Sequence, residues 1–292
     1  MRAAAVQLNS TENKERNLAT ADRLTRAAAA DGAGLVVLPE KFNLLGTPEH
    51  YREGAEALDG PTIGWARETA AELGIDLVAG SIAERRDGRE KLSNTSVHVG
   101  PHGEVKAVYR KIHMFDVEVG GQVYRESDSE EPGDEIVVSQ AGGVPLGMTV
   151  CYDLRFPELY RILAIRGARV ITVPAAFTKV TGQAHWELLI RARAVEDQAF
   201  VVAAGQIGAH PPDKESFGGS TIVDPWGEVL ALAPAMESVG PRRIDHSAPR
   251  LPQECFVAAD LDLARQEEVR EKLPSLANRM PDAYRWPERV GV

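Results

Sequence analysis

The chain has 292 residues, with 33 Lys and Arg against 43 Asp and Glu, a formal net charge of −10. That balance excludes a general nucleic-acid binder, which needs a cationic face against phosphates, and a polybasic membrane-surface protein. Hydrophobic residues make up 43% and charged residues 26%, an ordinary globular composition that needs no disulfides or structural metal and contains no apolar run near the ~18 residues of a membrane span.

Short apolar runs alternate with amphipathic stretches. Ala3–Leu8 reads as a strand, and a helix over Glu12–Asp31 puts Leu18, Ala21, Leu24 and Ala28 on one face. Leu35–Leu38 is a fully apolar strand ending at Pro39-Glu40. Pro61 opens a helix striped by Ile63, Ala66, Ala70 and Leu73, which Gly74 closes. Asp76–Ile82 is the next strand. Leu92–Val99 and Glu104–Tyr109 flank the turn residues Gly100-Pro101-His102-Gly103, the pattern of a hairpin. Val144–Val150 is a strand, Phe156–Arg166 a helix begun by Pro157, and Arg169–Val173 a strand. A helix over about 184–198 carries Trp186, Leu189, Ile190 and Ala194. Phe200–Ala204, Ser220–Val223, Glu228–Leu232 and Phe256–Leu261 complete the strands, and a helix over about 262–272 follows. Hairpin signals beside strand–helix–strand units predict one α/β domain over 1–292, a mixed sheet system covered by helices. The segment 234–254 holds four prolines and three arginines with little periodicity. It reads as an irregular insertion, either a mobile surface loop or a lid or subunit contact.

The opening residues Met1–Asn9 turn polar too soon for a signal-peptide core, so a cytoplasmic protein is expected. Two cysteines make no disulfide framework and no zinc thiolate site. They differ in setting. Cys151 follows an apolar strand and precedes the helix begun by Pro157. A helix N-terminus lowers a nearby thiol pKa, and backbone N–H groups in such a turn cradle an oxyanion; the alternative is a buried core thiol. Cys255, beside Phe256 at a strand start, reads as structural. Glu40 caps a buried strand, where desolvation raises a carboxyl toward general-base range, unless it is a solvated loop residue. Lys111, taken singly, is a surface charge. There is no Gly-x-Ser-x-Gly elbow, no phosphate-binding Gly-Lys-Ser/Thr loop, and His185-Trp186-Glu187 lacks the Pro-Cys-x-x-Cys half of a zinc deaminase.

Three segments together resemble the signature blocks of the nitrilase superfamily of carbon–nitrogen hydrolases: Leu38-Pro39-Glu40-Lys41, Tyr109-Arg110-Lys111-Ile112-His113, and Cys151-Tyr152-Asp153-Leu154-Arg155-Phe156-Pro157. They stand in the family's order, each at a strand end. Gly182–Glu187 and Val223-Asp224-Pro225-Trp226-Gly227 extend the likeness. The resemblance implies a four-layer α-β-β-α sandwich, pairing through helices into a homodimer or higher homo-oligomer, and a catalytic triad of Glu40, Lys111 and Cys151. A second family glutamate falls on Glu126, with Glu118 its nearest competitor. The implied chemistry is hydrolysis of a non-peptide C–N bond through a thioester on Cys151. Glu40 serves as base, Lys111 and the Tyr152 backbone N–H stabilise the oxyanion, and no metal or organic cofactor is required. Within the family the motifs look most like the deaminated glutathione amidase and ω-amidase branch, which implies a small carboxylated amide as the partner. Arg155 is the candidate cation for that carboxylate, or else a structural ion pair beneath the turn. Phe177 and Thr178 are candidate pocket walls, or else core packing. A nitrilase, an N-carbamoyl amidohydrolase or an idle metabolite-binding scaffold shares the same blocks; an intact triad favours an enzyme.

Overall fold

The computed structural model describes residues 1–236 and 253–284. Most of the 234–254 insertion, residues 237–252, lies outside them. In chain order the elements are β1 (Arg2–Gln7), α1 (Lys14–Ala30), β2 (Leu35–Val37), α2 (Pro48–Gly54), α3 (Pro61–Leu73), β3 (Asp76–Val78), β4 (Ile82–Glu84), β5 (Ser93–Val99), β6 (Val105–Arg110), β7 (Asp116–Val119) and β8 (Gln122–Arg125). Then come β9 (Val138–Ala141), β10 (Val144–Met148), α4 (Pro157–Ile165), β11 (Val170–Ala175), α5 (Lys179–Asp197), β12 (Phe200–Gly205), β13 (Ile207–His210), β14 (Lys214–Phe217), β15 (Thr221–Val223), β16 (Val229–Leu232), β17 (Cys255–Asp260) and α6 (Leu263–Lys272).

Two large sheets form, in the orders β17-β1-β2-β3-β5-β4, with β6 on β5, and β16-β15-β12-β11-β10-β9, beside the two-stranded sheets β7-β8 and β13-β14. The trios β1-β2-β3 and β10-β11-β12 run parallel. Strand alternation then sorts the side chains into layers. Leu35 and Val37 of β2 meet Val170, Phe200 and Val202 of the other sheet in a core between the sheets. Val36 and Leu38 point the other way, onto Leu24 and Ala28 of α1 and Ile63, Ala66 and Ala70 of α3. On the far side Ile171, Val173 and Val201 pack under Leu159 and Leu163 of α4 and Trp186 and Ile190 of α5. The result is the α-β-β-α sandwich expected from the sequence. Leu8 pairs in parallel with Gln206 and so joins the two sheets at one end.

The departures from expectation are local. The strand expected over Asp76–Ile82 breaks at Gly80, whose φ of +38° carries the chain against the loop holding Glu40; a Cβ there would lie 1.9 Å from the Pro39 carbonyl oxygen. α5 starts at Lys179 rather than near 184, because the Thr178 hydroxyl caps it by accepting from the Thr181 N–H. Helix α2 and the hairpins β7–β8 and β13–β14 are not among the expected elements, although Val117, Val119 and Val123 alternate with polar residues around Gly120-Gly121 in the pattern of a hairpin.

Gly80→Ala forces a methyl group into a backbone carbonyl at a left-handed position. We expect it to lower the free energy of unfolding by about 2 kcal/mol or more, read from the urea midpoint; a wild-type midpoint contradicts the close approach.

Candidate active site

In a parallel sheet the carboxyl ends of the strands all open on one edge, and ligands bind in the crevice there. Here both parallel trios open on the same edge. Glu40 lies just past β2, Cys151 just past β10, Ala176 after β11, Gln206 after β12, and Lys111 directly after β6. Gln206 fixes the Glu40 backbone: its Nε2 donates to the Glu40 carbonyl oxygen at 3.0 Å and to Ser10 Oγ at 2.9 Å.

All three triad residues are buried. Lys111 Nζ donates to Glu40 Oε1 at 3.1 Å and to both oxygens of Glu126 at 2.8 Å. Asn94 Nδ2 bridges the same two carboxylates at 2.8 and 3.1 Å. The remaining oxygens accept backbone donors, Ala176 N–H on Glu40 Oε2 at 2.8 Å and Phe115 N–H on Glu126 Oε2 at 2.7 Å. Glu126 thus reaches the lysine, whereas Glu118 stands exposed on β7.

Charges follow from this packing. Burial alone would lower Lys111, but Glu126 and Glu40 hold its ammonium well above the usual range. Burial pushes Glu126 up, yet Lys111 and Lys41 pull it down to about 2. The Cys151 thiol is raised well above its ordinary value by burial and by the neighbouring Glu40 carboxylate, with Lys111 opposing. At rest the site holds a neutral thiol beside an ammonium, not the low-pKa thiolate that a helix N-terminus alone would give.

Cys151 opens a 3-10 turn over Cys151–Arg155 with φ of 49°, a strained conformation for a residue with a Cβ. Asp153, fully buried, holds that turn. Its Oδ2 accepts from Val150 N–H at 2.8 Å and Tyr109 Oη at 2.6 Å, and its Oδ1 accepts from His113 Nδ1 at 2.7 Å. His113 in turn stacks on Phe156 at 3.5 Å. Sequence reasoning quoted Asp153 and His113 inside the motifs without giving either a role; the signal was a carboxylate two residues after the thiol.

A cavity of about 510 Å³ opens over Glu40, Lys111, Glu126 and Cys151. Tyr152, Phe177 and Thr178 line it. Phe177 is buried against Trp186, with ring centroids 5.1 Å apart. Arg155 is not among the lining residues: its guanidinium lies over the rings of Phe177 at 5.0 Å and Tyr152 at 5.9 Å, with Nη1 3.3 Å from His185 Nδ1. The cationic side chains that do line the cavity are Lys41, Arg52, Lys111, Arg125 and Lys214. Apart from Lys111, they come from the Glu40 loop, from α2, and from the hairpins β7–β8 and β13–β14. Cys255, half-buried in β17, is remote in the chain and pairs with Gln7 in the sheet. Among the described residues no group of three or more His, Cys, Asp or Glu side chains is arranged to hold a metal ion.

Two outcomes follow. Glu40→Gln removes the anion that raises Cys151, so the thiol titrates at lower pH while turnover is lost, a divergence read by thiolate absorbance beside activity; an unchanged thiol titration contradicts the coupling. Glu126, depressed when folded, contributes stability that is present above the ordinary carboxyl range near pH ~4.3 and lost as pH falls toward 2. The stability difference between wild type and Glu126→Gln should therefore shrink over that window. A difference that stays constant with pH contradicts the ion pair.

A model of the carbon–nitrogen hydrolase family matches residues 2–250. The deaminated glutathione amidase of Bos taurus is 41% identical over 288 residues, covering 96% of this chain and 82% of its own. The omega-amidase NIT2 of Danio rerio is 38% identical over 284 residues, covering 97% and 96%. Among solved structures, a glutamate-to-glutamine variant of the amidase from Nesterenkonia sp. AN1 aligns with TM-score 0.73 and 26% identity over 94% of this chain and 98% of that one; it shows the Michael addition of acrylamide at the active site cysteine.

Proposed function

The chain belongs to the carbon–nitrogen hydrolase family, and from that premise we propose that it is an amidase that hydrolyses a small carboxylated amide through an acyl thioester on Cys151 and releases ammonia. The observation that carries this reading is the buried ammonium of Lys111, shared by Glu40 and Glu126 beside the Cys151 thiol. A thiol raised by burial and a nearby anion is a weak nucleophile until its proton leaves, so proton transfer and attack are coupled. Glu40 takes the proton as sulfur adds to the amide carbonyl. The new oxyanion is met by Lys111 Nζ and the Tyr152 N–H at the start of the 3-10 turn. Glu40 returns its proton to the nitrogen, the C–N bond breaks, and ammonia leaves a thioester. Glu40 then deprotonates water, hydroxide adds to the thioester carbonyl, the C–S bond breaks, and the thiolate recovers the proton from Glu40 as the acid departs. Glu126 stays ionised throughout, so Lys111 keeps its charge.

The relatives' names point to deaminated glutathione or an ω-amide as the substrate. The cationic cavity wall suits either, because a buried carboxylate needs a paired cation. On the outer face, Ile162 and Ile165 of α4 and Leu188 and Val195 of α5 remain exposed, with Trp226 on the adjoining turn. An apolar surface of this kind fits a subunit contact, and we assign the homodimer to it. We take the whole chain as one domain of a cytoplasmic enzyme; no helix among the described residues is long and apolar enough to cross a membrane.

An ammonia-release screen over deaminated glutathione, 2-oxoglutaramate, simple nitriles and carbamoyl amino acids tests the assignment. Turnover is expected on the first two, with complete loss in Cys151→Ala and a fall in kcat of about 10²- to 10³-fold in Lys111→Ala. Wild-type turnover in the cysteine variant, or nitriles as the preferred substrates, contradicts it.

A further inference from the structure

Two ammonium groups line the catalytic cavity without a part in the chemistry above. Lys41 follows Glu40 directly, in a left-handed backbone conformation of φ 50°, and is buried. Its Nζ is ion-paired with Glu130 and lies 3.8 Å from the centroid of the Tyr51 ring. Lys214, at the start of β14, is half-buried, with its Nζ 4.9 Å from the centroid of the Tyr124 ring. Lys41, Tyr51, Tyr124 and Lys214 all line the same cavity. Lys214 is lowered by burial and by the charge of Lys41, with Glu126 opposing. No carboxylate forms an ion pair with Lys214 among the described residues.

An ammonium has three N–H donors. Seating it on an aromatic face stabilises the charge and leaves donors free on the other side. Two such cations facing one cavity are costly unless an anion joins them. Glu130 supplies part of that charge, but it is poorly held: it is 1% exposed, and its Oε2 has no hydrogen-bond partner among the described residues. Burial drives its carboxyl up to about 7, with Lys41 opposing and Glu126 adding to the rise. A buried carboxylate with one oxygen unpaired binds its lysine less well than a fully paired one.

Resting on the carboxylated-amide reading, we propose that Lys41 and Lys214 form a subsite for the substrate carboxylate remote from the scissile amide, and that Glu130 is an internal counter-ion competing with that carboxylate for Lys41. Glu130 fills the anion's place in the empty site, which keeps Lys41 charged and the Glu40 loop in position.

The test is steady-state kinetics on two amides of matched length, succinamate and butyramide. Wild type is expected to prefer succinamate in kcat/KM. Lys41→Met and Lys214→Met should each cut that preference about ten-fold or more, through KM for succinamate. Glu130→Gln should lower KM for succinamate by about three-fold or more, since Lys41 loses its competitor. Because Lys41→Met strands Glu130 in the interior, the double variant Lys41→Met/Glu130→Leu serves as a second probe and should lose the preference equally. If the lysine variants keep the wild-type preference, or lose kcat to the same degree on both amides, the subsite is wrong; an unchanged or raised KM in Glu130→Gln removes the counter-ion role. If wild type itself does not discriminate between the amides, the carboxylated-substrate reading fails instead.

Discussion

The Lys111 ammonium is the interaction around which the site is built. A buried cation survives only if the surrounding anions and dipoles outweigh its loss of water. Here two carboxylates do so, Glu40 and Glu126, themselves bridged by Asn94 and completed by the backbone N–H groups of Ala176 and Phe115. Each partner arrives on a different element: the loop after β2, the turn after β8, the strand β5, the loop after β11 and the segment between β6 and β7. The sandwich exists, from the standpoint of function, to deliver these ends to one place.

That arrangement also decides how the cysteine behaves. Low thiol pKa is one route to a reactive cysteine; an adjacent base is another. Burial and the Glu40 carboxylate put Cys151 on the second route. The strained φ of 49° at Cys151 is held by Asp153, which is tied to β6 through Tyr109 and to the lysine block through His113. Two motifs far apart in the chain are thereby locked together, so Cys151 and Lys111 keep a fixed relation.

Much of the element order was legible because burial leaves a period: Ile63, Ala66 and Ala70 form a helical stripe, and Leu35–Leu38 reads as a buried strand. The four layers were implied by the family resemblance, and the structure shows Leu35–Leu38 alternating between two cores. The meeting of Glu40, Lys111, Cys151 and Glu126 is an expectation of the family resemblance, since no period marks a lone lysine as buried. The cavity wall was harder to read. Hairpins β7–β8 and β13–β14 carry polar residues whose placement depends on tertiary contacts, so Arg155 drew attention by standing near the thiol, whereas Lys41 and Lys214 occupy the cavity. Asp153 was in view but silent, because a carboxylate that holds a turn looks in sequence like any surface aspartate. Gly80 is the converse case: the apolar run Asp76–Ile82 hides a break required by one close backbone approach.

The central claim is that Cys151 carries the acyl group between two proton transfers by Glu40. Intact-mass spectrometry of acid-quenched enzyme during turnover of a good amide measures it directly. The account predicts a protein mass raised by the substrate acyl group, with the adduct mapped to the peptide holding Cys151 and absent from Cys255. Turnover with no covalent species in the pre-steady state, or an acyl group on any other residue, contradicts it.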